Sequence, residues 1–323
     1  MKFLLNILRK TKYFFWYYAY VIRNRRIDYF EYKKLAVNFP IFSTSNAPGI
    51  IGNKCYGNYR AVKRAMGKRF DKNCLIEHGL YFGEFVIEDD CKAKGLNTIY
   101  TFGEYRVNAL RKSEIEKLRQ IKIVPIGAYI LNAKNFHTAD KRRQIKQKYG
   151  NILLAFPYHT SPELDTDFDA QAFINEIKKV KETYSYDTVF VSIFWLDIVN
   201  ENYRMYEKEG FVIVCSGVRN DPYFLSRQRD LIQLSDMTMS NDLGTHIGYC
   251  ISLNRPHYYY NQEIIVNKIH TDDCEFSDKN REAKFAKEKL LFAPLFCSTE
   301  PIVTEEQRNI VRYYWGEGVK YDS

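Results

Sequence analysis

The chain has 323 residues, 46% of them hydrophobic, with 26 Tyr and 22 Phe against only 16 Gly and 9 Pro. That composition can fill two cores of ordinary size and excludes a disordered or low-complexity chain. The net charge of +9 is uneven, because residues 1–35 hold nine Lys or Arg against two acids and the rest is close to neutral at +2, which excludes a basic nucleic-acid groove along the body.

In chain order, the basic leader comes first. On a helical wheel Phe3, Leu4, Ile7, Leu8, Phe14, Phe15, Tyr18 and Ile22 fall on one side, opposite Lys2, Arg9, Lys12 and Arg23. The longest charge-free run, Tyr13 to Ile22, is ten residues, whereas a membrane span needs about 20. An amphipathic helix lying on an anionic membrane surface is therefore expected. A signal peptide is opposed by Arg9, Lys10 and Lys12 inside the apolar stretch. A helix packed on its own domain with a solvated basic face stays open.

In the N-terminal half, Cys74–Phe82 (CLIEHGLYF) reads as an apolar strand meeting Gly79. Glu77 and His78 at that strand end are the candidates for a general base, since burial can tune either group and a strand end in a wound fold faces a cleft. The alternative is that they are turn or core residues. Glu84 and Glu104 rank behind them.

From residue 151 short apolar runs alternate with helical patterns, as in βαβ units around a parallel sheet. Strands are expected at Asn151–Phe156, Thr188–Trp195, Phe211–Val218, Met237–Ser240 and His257–Tyr260. Helices are expected at Ala170–Glu182, Ile198–Lys208, Pro222–Leu234 and His246–Leu253. Ligands in such sheets sit beyond the carboxyl ends of the strands, which singles out the loops Pro157–Pro162, Gly217–Pro222 and Asn241–His246. In the last of these, Gly244 permits close approach of backbone and Thr245 opens a helix whose free amides and dipole suit a phosphate. His246 and Arg219 would add donors. The plain alternative is a turn at Gly244 and a Thr cap. Asp165, Asp167 and Asp169 (DTDFD) invite a metal, but Asp169 fits an N-cap for the following helix. Thr304 with Gln307 forms a capping-box start for a helix over Glu305–Tyr314. The seven Cys residues (55, 74, 91, 215, 250, 274, 297) contain no CxxC pair, so neither a disulfide framework nor a zinc site is indicated and a cytosolic setting is expected.

The segment Ser235–Pro256 (SDMTMSNDLGTHIGYCISLNRP), with Gly217-Val-Arg219-Asn-Asp221-Pro222 and the tail Thr304–Gly316, resembles the donor-binding part of GT-B glycosyltransferases from bacterial capsule and surface-polysaccharide clusters. The resemblance covers mainly residues 150–260 and the tail. It implies an α/β fold of two Rossmann-like domains with the C-terminal helix packing back across them. The implied layout is a membrane-associating helix at 1–35, an acceptor-side domain at 36–148, a donor domain at 149–265 and a helical segment at 266–323. It also implies a nucleotide-sugar donor held by the C-terminal domain, a glycan or lipid-linked acceptor, and a peripheral position on the cytoplasmic membrane face. No cofactor or metal is expected, the nucleotide-sugar being a substrate. Donor contacts are expected from Tyr158, His159, Thr160, Ser161, Gly217, Arg219, Ser240, Asn241, Gly244, Thr245 and His246. Where bacterial sialyltransferases show His-Pro and paired Ser, this chain has His159-Thr160 and Gly244-Thr245, so the nucleotide stays open. The rival readings are a polysaccharide pyruvyltransferase-like enzyme and a non-catalytic binder of membrane or nucleic acid.

Overall fold

The computed structural model describes residues 15, 18–37, 53, 55–87, 91, 95–160, 164–269 and 279–316. Residues 1–14, most of the leader's apolar stripe, lie outside them.

Two parallel sheets organise the chain. The first has the order β1 (Cys74–Ile76), β2 (Thr98–Thr101), β3 (Lys122–Pro125). The second contains β4 (Ile152–Phe156), β6 (Thr188–Ser192), β7 (Val212–Val214), β8 (Met237–Ser240) and β9 (His257–Tyr259) in the order 7-6-4-8-9. From β4 the chain moves outward to β6 and β7, then returns to β8 on the other side, so the crossovers diverge between β4 and β8. A crevice opens at the carboxyl ends of two strands related in this way. β4 and β8 are buried along their whole length, which is why ILLAF reads as an unbroken apolar run, while in MTMS the buried Thr238 and Ser240 hydroxyls are paired, Thr238 donating to the Pro256 carbonyl and Ser240 to the Asp242 carbonyl. A separate two-stranded antiparallel ribbon joins β5 (Leu164–Asp167) to β10 (Ile265–Ile269). Asp165 and Asp167 lie in that ribbon, and Asp169 caps the next helix by accepting from the Ala172 amide at 2.9 Å.

Helices α1 (Tyr32–Leu35), α2 (Asn58–Met66), α3 (Glu104–Lys112) and α4 (Ala139–Tyr149) belong to the N-terminal half. Helices α5 (Ala170–Thr183), α6 (Trp195–Val199), α7 (Arg204–Lys208), α8 (Phe224–Leu234) and α9 (Thr245–Ser252) surround the second sheet. The expected single helix Ile198–Lys208 is two helices, broken where Glu201 takes a positive φ of 63°. β6 stops at Ser192, and Trp195 opens α6 instead of ending a strand.

Helices α10 (Lys279–Phe296) and α11 (Glu305–Trp315) follow, α11 starting on the capping box of Thr304 and Gln307. Helix α11 packs on both α9 and α3. Two glycines make that contact possible. A Cβ on Gly248 would meet the Trp315 ring at 2.1 Å, and one on Gly103 would meet the Gly316 amide nitrogen at 2.5 Å. Trp315 is fully buried and donates its indole N–H to the Thr245 carbonyl at 3.0 Å.

The second half of the leader is built into this body. Residues 18–24 are helical, and Tyr20 and Asn24 are buried. The Asn24 side chain donates to Asp221 at 2.6 Å, and Arg227 donates to the carbonyls of Asn24 and Ile27. The Cys215 amide, just after β7, donates to the Tyr29 carbonyl at 3.0 Å. Tyr18 and Ile22 of the 18–24 helix are 68% and 56% exposed, and Phe15 is 67% exposed. Among the described residues, no helix is long and apolar enough to cross a membrane.

Candidate functional site

A cavity of about 400 Å³ lies at the crevice between β4 and β8 and is walled on its far side by the loop after β1. That volume falls in the range of ligand pockets, about 300–1,000 Å³. Its floor includes Phe156 from β4 and the start of α9, where Gly244, Thr245 and His246 all line it.

The α9 start is uncapped. Gly244 stands at the cap position with extended backbone, and its first turn has no side-chain cap. Among the described residues, the Thr245 and His246 amides have no protein acceptor. Thr245 is not the cap its type would suggest. Its hydroxyl reaches across the cleft to accept from the Leu80 amide at 3.0 Å, tying the first sheet's loop to the second sheet's helix. His246 stacks on Phe156 at 5.0 Å, and its Nε2 is buried with no partner among the described residues. Burial pushes its imidazole down to about 3, so the ring is neutral at physiological pH. A neutral ring beside free amides can donate one hydrogen bond to an oxyanion but is too weakly basic to take a proton.

Glu77 and His78 separate. His78 lines the cavity, and its Nδ1 lies 2.8 Å from the Tyr81 hydroxyl. Glu77, the first residue after β1, does not line it. Both its oxygens are taken by the fully buried Arg106, at 2.6 and 3.1 Å, and one also accepts from the Thr101 hydroxyl. Arg106 in turn donates to the Tyr81 carbonyl at 3.0 Å. Of the two candidates for the base, His78 is therefore the one that faces the cavity, while the Glu77 carboxylate is bound within the protein by Arg106 and Thr101.

The donor loops divide similarly. Tyr158 and His159 line the cavity, the exposed His159 ring lying 4.2 Å from Phe194 in a stack. Thr160 lines a neighbouring cavity, and Ser161 falls outside the described residues. Ser240 and Asn241 are fully buried and hold backbone: the Ser240 hydroxyl donates to the Asp242 carbonyl, and Asn241 accepts from the Tyr158 amide at 2.6 Å. Gly217 and Arg219 do not line the cavity. Their loop is fixed by a buried ion pair, Arg227 to Asp221 at 2.8 Å, and its Ser216 is the residue that reaches the cavity wall. Of the expected donor contacts, Ser240, Asn241, Gly217 and Arg219 do not line the cavity.

The sequence reading missed Asp242, Ser192, Phe194 and Phe285, all of which line the cavity. Asp242 is the chemically pointed one. Burial pushes its carboxyl up while Lys289 of α10, 3.0 Å away, pulls it down, and burial is the larger effect. An acid two residues before the glycine of a helix start was visible in the sequence, whereas the arrival of Phe285 and Lys289 from a distant helix was not.

By its own geometry the chain is an α/β protein with a ligand-sized cavity at a switch point. No family model and no curated protein matches it. One similar solved structure is the wall teichoic acid polymerase TagF, at 11% identity over 74% of this chain and 66% of that chain, TM-score 0.38. Another is a UDP-GlcNAc 2-epimerase from Neisseria meningitidis bound to UDP-GlcNAc, at 10% identity over 84% of this chain and 83% of that one, TM-score 0.39. The chain therefore spans about two thirds of the polymerase chain. Likeness at that level carries no argument about function; the geometry of the cavity does.

Proposed function

We propose that the chain is a glycosyltransferase of the two-domain GT-B kind, moving a sugar from a nucleotide-sugar to a glycan or lipid-linked acceptor at the cytoplasmic membrane face. The observation that carries this reading is the uncapped start of α9, where two free amides and the orphaned Nε2 of a neutral His246 open on a cavity between two sheets. Amides and a helix dipole aimed at one point hold a leaving phosphate. The donor domain is 149–265 and the acceptor side 36–148. His78, on the acceptor wall, takes the proton of the attacking hydroxyl as the new C–O bond forms and the bond to the phosphate oxygen breaks. The exposed Phe15, Tyr18 and Ile22, followed by exposed Arg25 and Arg26, support contact with an anionic bilayer.

The test is a thermal-shift panel of cytidine, uridine and guanosine nucleotides. At about 100 times its Kd the right nucleotide adds about 2.7 kcal/mol of stability, and His246→Ala removes that gain while the unliganded protein still folds. If no nucleotide raises Tm, or His246→Ala retains the full gain, the reading falls.

A further inference from the structure

A second cavity, about 160 Å³, adjoins the first, sharing Pro157, Tyr158, His159, Ile193 and Phe194 with it. It sits beyond the ends of β4 and β6, one strand away from the switch point, and is closed by α6, α7 and the loop between them. None of the expected donor contacts except Tyr158, His159 and Thr160 reaches it among the described residues.

Its polar side is unusual. Asp197 is buried, 7% exposed, and one of its oxygens accepts from both the Thr160 hydroxyl at 2.8 Å and the Asn202 side-chain amide at 2.9 Å. Tyr206, only 2% exposed, also lines the cavity, and its hydroxyl has no partner among the described residues. A buried hydroxyl left without a partner carries a desolvation cost that a ligand group can relieve. The rest of the wall is apolar and aromatic, including Phe168 and the His159–Phe194 stack.

Charge decides the class of ligand. Among the described residues the lining holds two carboxylates, Asp167 and Asp197, and no Lys or Arg. A phosphate placed here would meet like charge in a partly desolvated pocket. A ligand that donates hydroxyl hydrogens to a carboxylate while presenting a C–H face to aromatic rings fits. So does the volume, which lies below that of a drug-sized pocket and suits one ring.

We propose that this cavity is a subsite for a single neutral, hydroxyl-rich ring, a pentose or hexose, with Asp197 as acceptor and Tyr206 as the second polar contact. Assigning that ring to the donor or the acceptor of a sugar transfer rests on the function proposed above; the binding itself does not.

Saturation-transfer NMR on the full chain tests it, with ribose, glucose and N-acetylglucosamine as ring probes and inorganic pyrophosphate titrated in parallel as the anion probe. Asp197→Asn keeps the oxygen that Thr160 and Asn202 use and turns the other acceptor into a donor, so the fold is preserved. Tyr206→Phe removes a hydroxyl that bonds nothing among the described residues. At least one ring probe should bind the wild type, and Asp197→Asn should weaken it at least tenfold, since a hydrogen bond to a charged group is lost. Tyr206→Phe should weaken it severalfold, and pyrophosphate affinity should hold within twofold in both variants. Ring binding unchanged in both variants, or no ring binding by the wild type, overturns the subsite. Loss of pyrophosphate binding in His246→Ala with ring binding intact separates the two sites, whereas a wild type that binds rings but never pyrophosphate sinks the donor reading and leaves the subsite standing.

Discussion

Replacing Glu77 by alanine separates a base from a support. In the folded protein Glu77 receives two bonds from Arg106 and one from Thr101, and Arg106 is fully buried. Without the carboxylate, Arg106 retains its bond to the Tyr81 carbonyl and its charge is uncompensated. Breaking a buried pair from one side costs about 3–5 kcal/mol. At about 2.1 cal/mol/K per residue, a chain of 323 residues loses about 1.5 °C of Tm per kcal/mol, so the expected drop is about 4–8 °C. Glu84 supplies the contrast: its carboxylate is partly exposed and pairs with Lys284 at 2.8 Å and Lys112 at 3.5 Å. Pairs of that sort are worth about 0–1 kcal/mol, so Glu84→Ala should shift Tm by no more than a few degrees. Circular dichroism melts of the three proteins, followed by nucleotide binding well below the lowest Tm, give the answer. A Glu77→Ala protein that melts within about 2 °C of wild type yet has no transferase activity would refute the structural role and restore Glu77 as the base.

Other contacts set further outcomes. Trp315→Phe removes the N–H that the Thr245 carbonyl accepts together with part of the indole's volume and should cost about 1–3 kcal/mol, whereas Trp315→Ala empties the whole space against Gly248 and should cost about 3–5 kcal/mol; a denaturation midpoint for Trp315→Ala no lower than that for Trp315→Phe would contradict this packing. His246 and His257 are both buried and neutral, His246 pushed down to about 3 and His257 well below its ordinary value. Unfolding exposes imidazoles that bind protons near 6.5, so the unfolded state gains protons and stability falls as pH drops from about 6.5 toward about 3. At pH 5 His246 accounts for about 2 kcal/mol of that loss, and Tm of His246→Asn should decline less between pH 7 and pH 5 than wild type; parallel slopes would show the ring is not held neutral. Replacing Phe15, Tyr18 and Ile22 together by Ser should abolish cosedimentation with phosphatidylserine-containing vesicles and leave the melt unchanged, because these side chains are exposed; retained binding would move the membrane contact elsewhere.

What could be read from the sequence was local or fully periodic. The span of β8 came out residue for residue, and β4 within one residue; in β4 a central parallel strand buries both faces and shows it in five consecutive apolar positions. The Asp169 cap and the Thr304–Gln307 box were legible because each bond closes within three residues. Of the expected site residues, His78, Tyr158, His159 and Gly244 to His246 line the cavity. Nothing in the sequence signalled that Arg106, 29 residues away, binds Glu77. Nor did anything in it show that Asp221, in the loop of Arg219, is held by Arg227 of α8 and by Asn24, 197 residues upstream. The break in the 198–208 helix is a left-handed turn at Glu201, a residue type that gives no warning of it.

Three ion pairs share one physical role at the site. Among the described residues, no Lys or Arg lines the main cavity. Three cations packed around it are each committed to a carboxylate: Arg106 to Glu77, Arg227 to Asp221 and Lys289 to Asp242. Those pairs fix the three loops from which the cavity is built, the one after β1, the one after β7 and the one before α9. Full charges thus set the geometry, and the groups left facing the cavity include two amides, the neutral His246 imidazole, the His78 and His159 rings and a few hydroxyls. Fixed dipoles in a half-buried pocket need no reorganisation when charge develops on a bound ligand. Asp242 is the exception, a carboxylate at the cavity edge, and its pairing with Lys289 keeps that charge from opposing an anion at the α9 start.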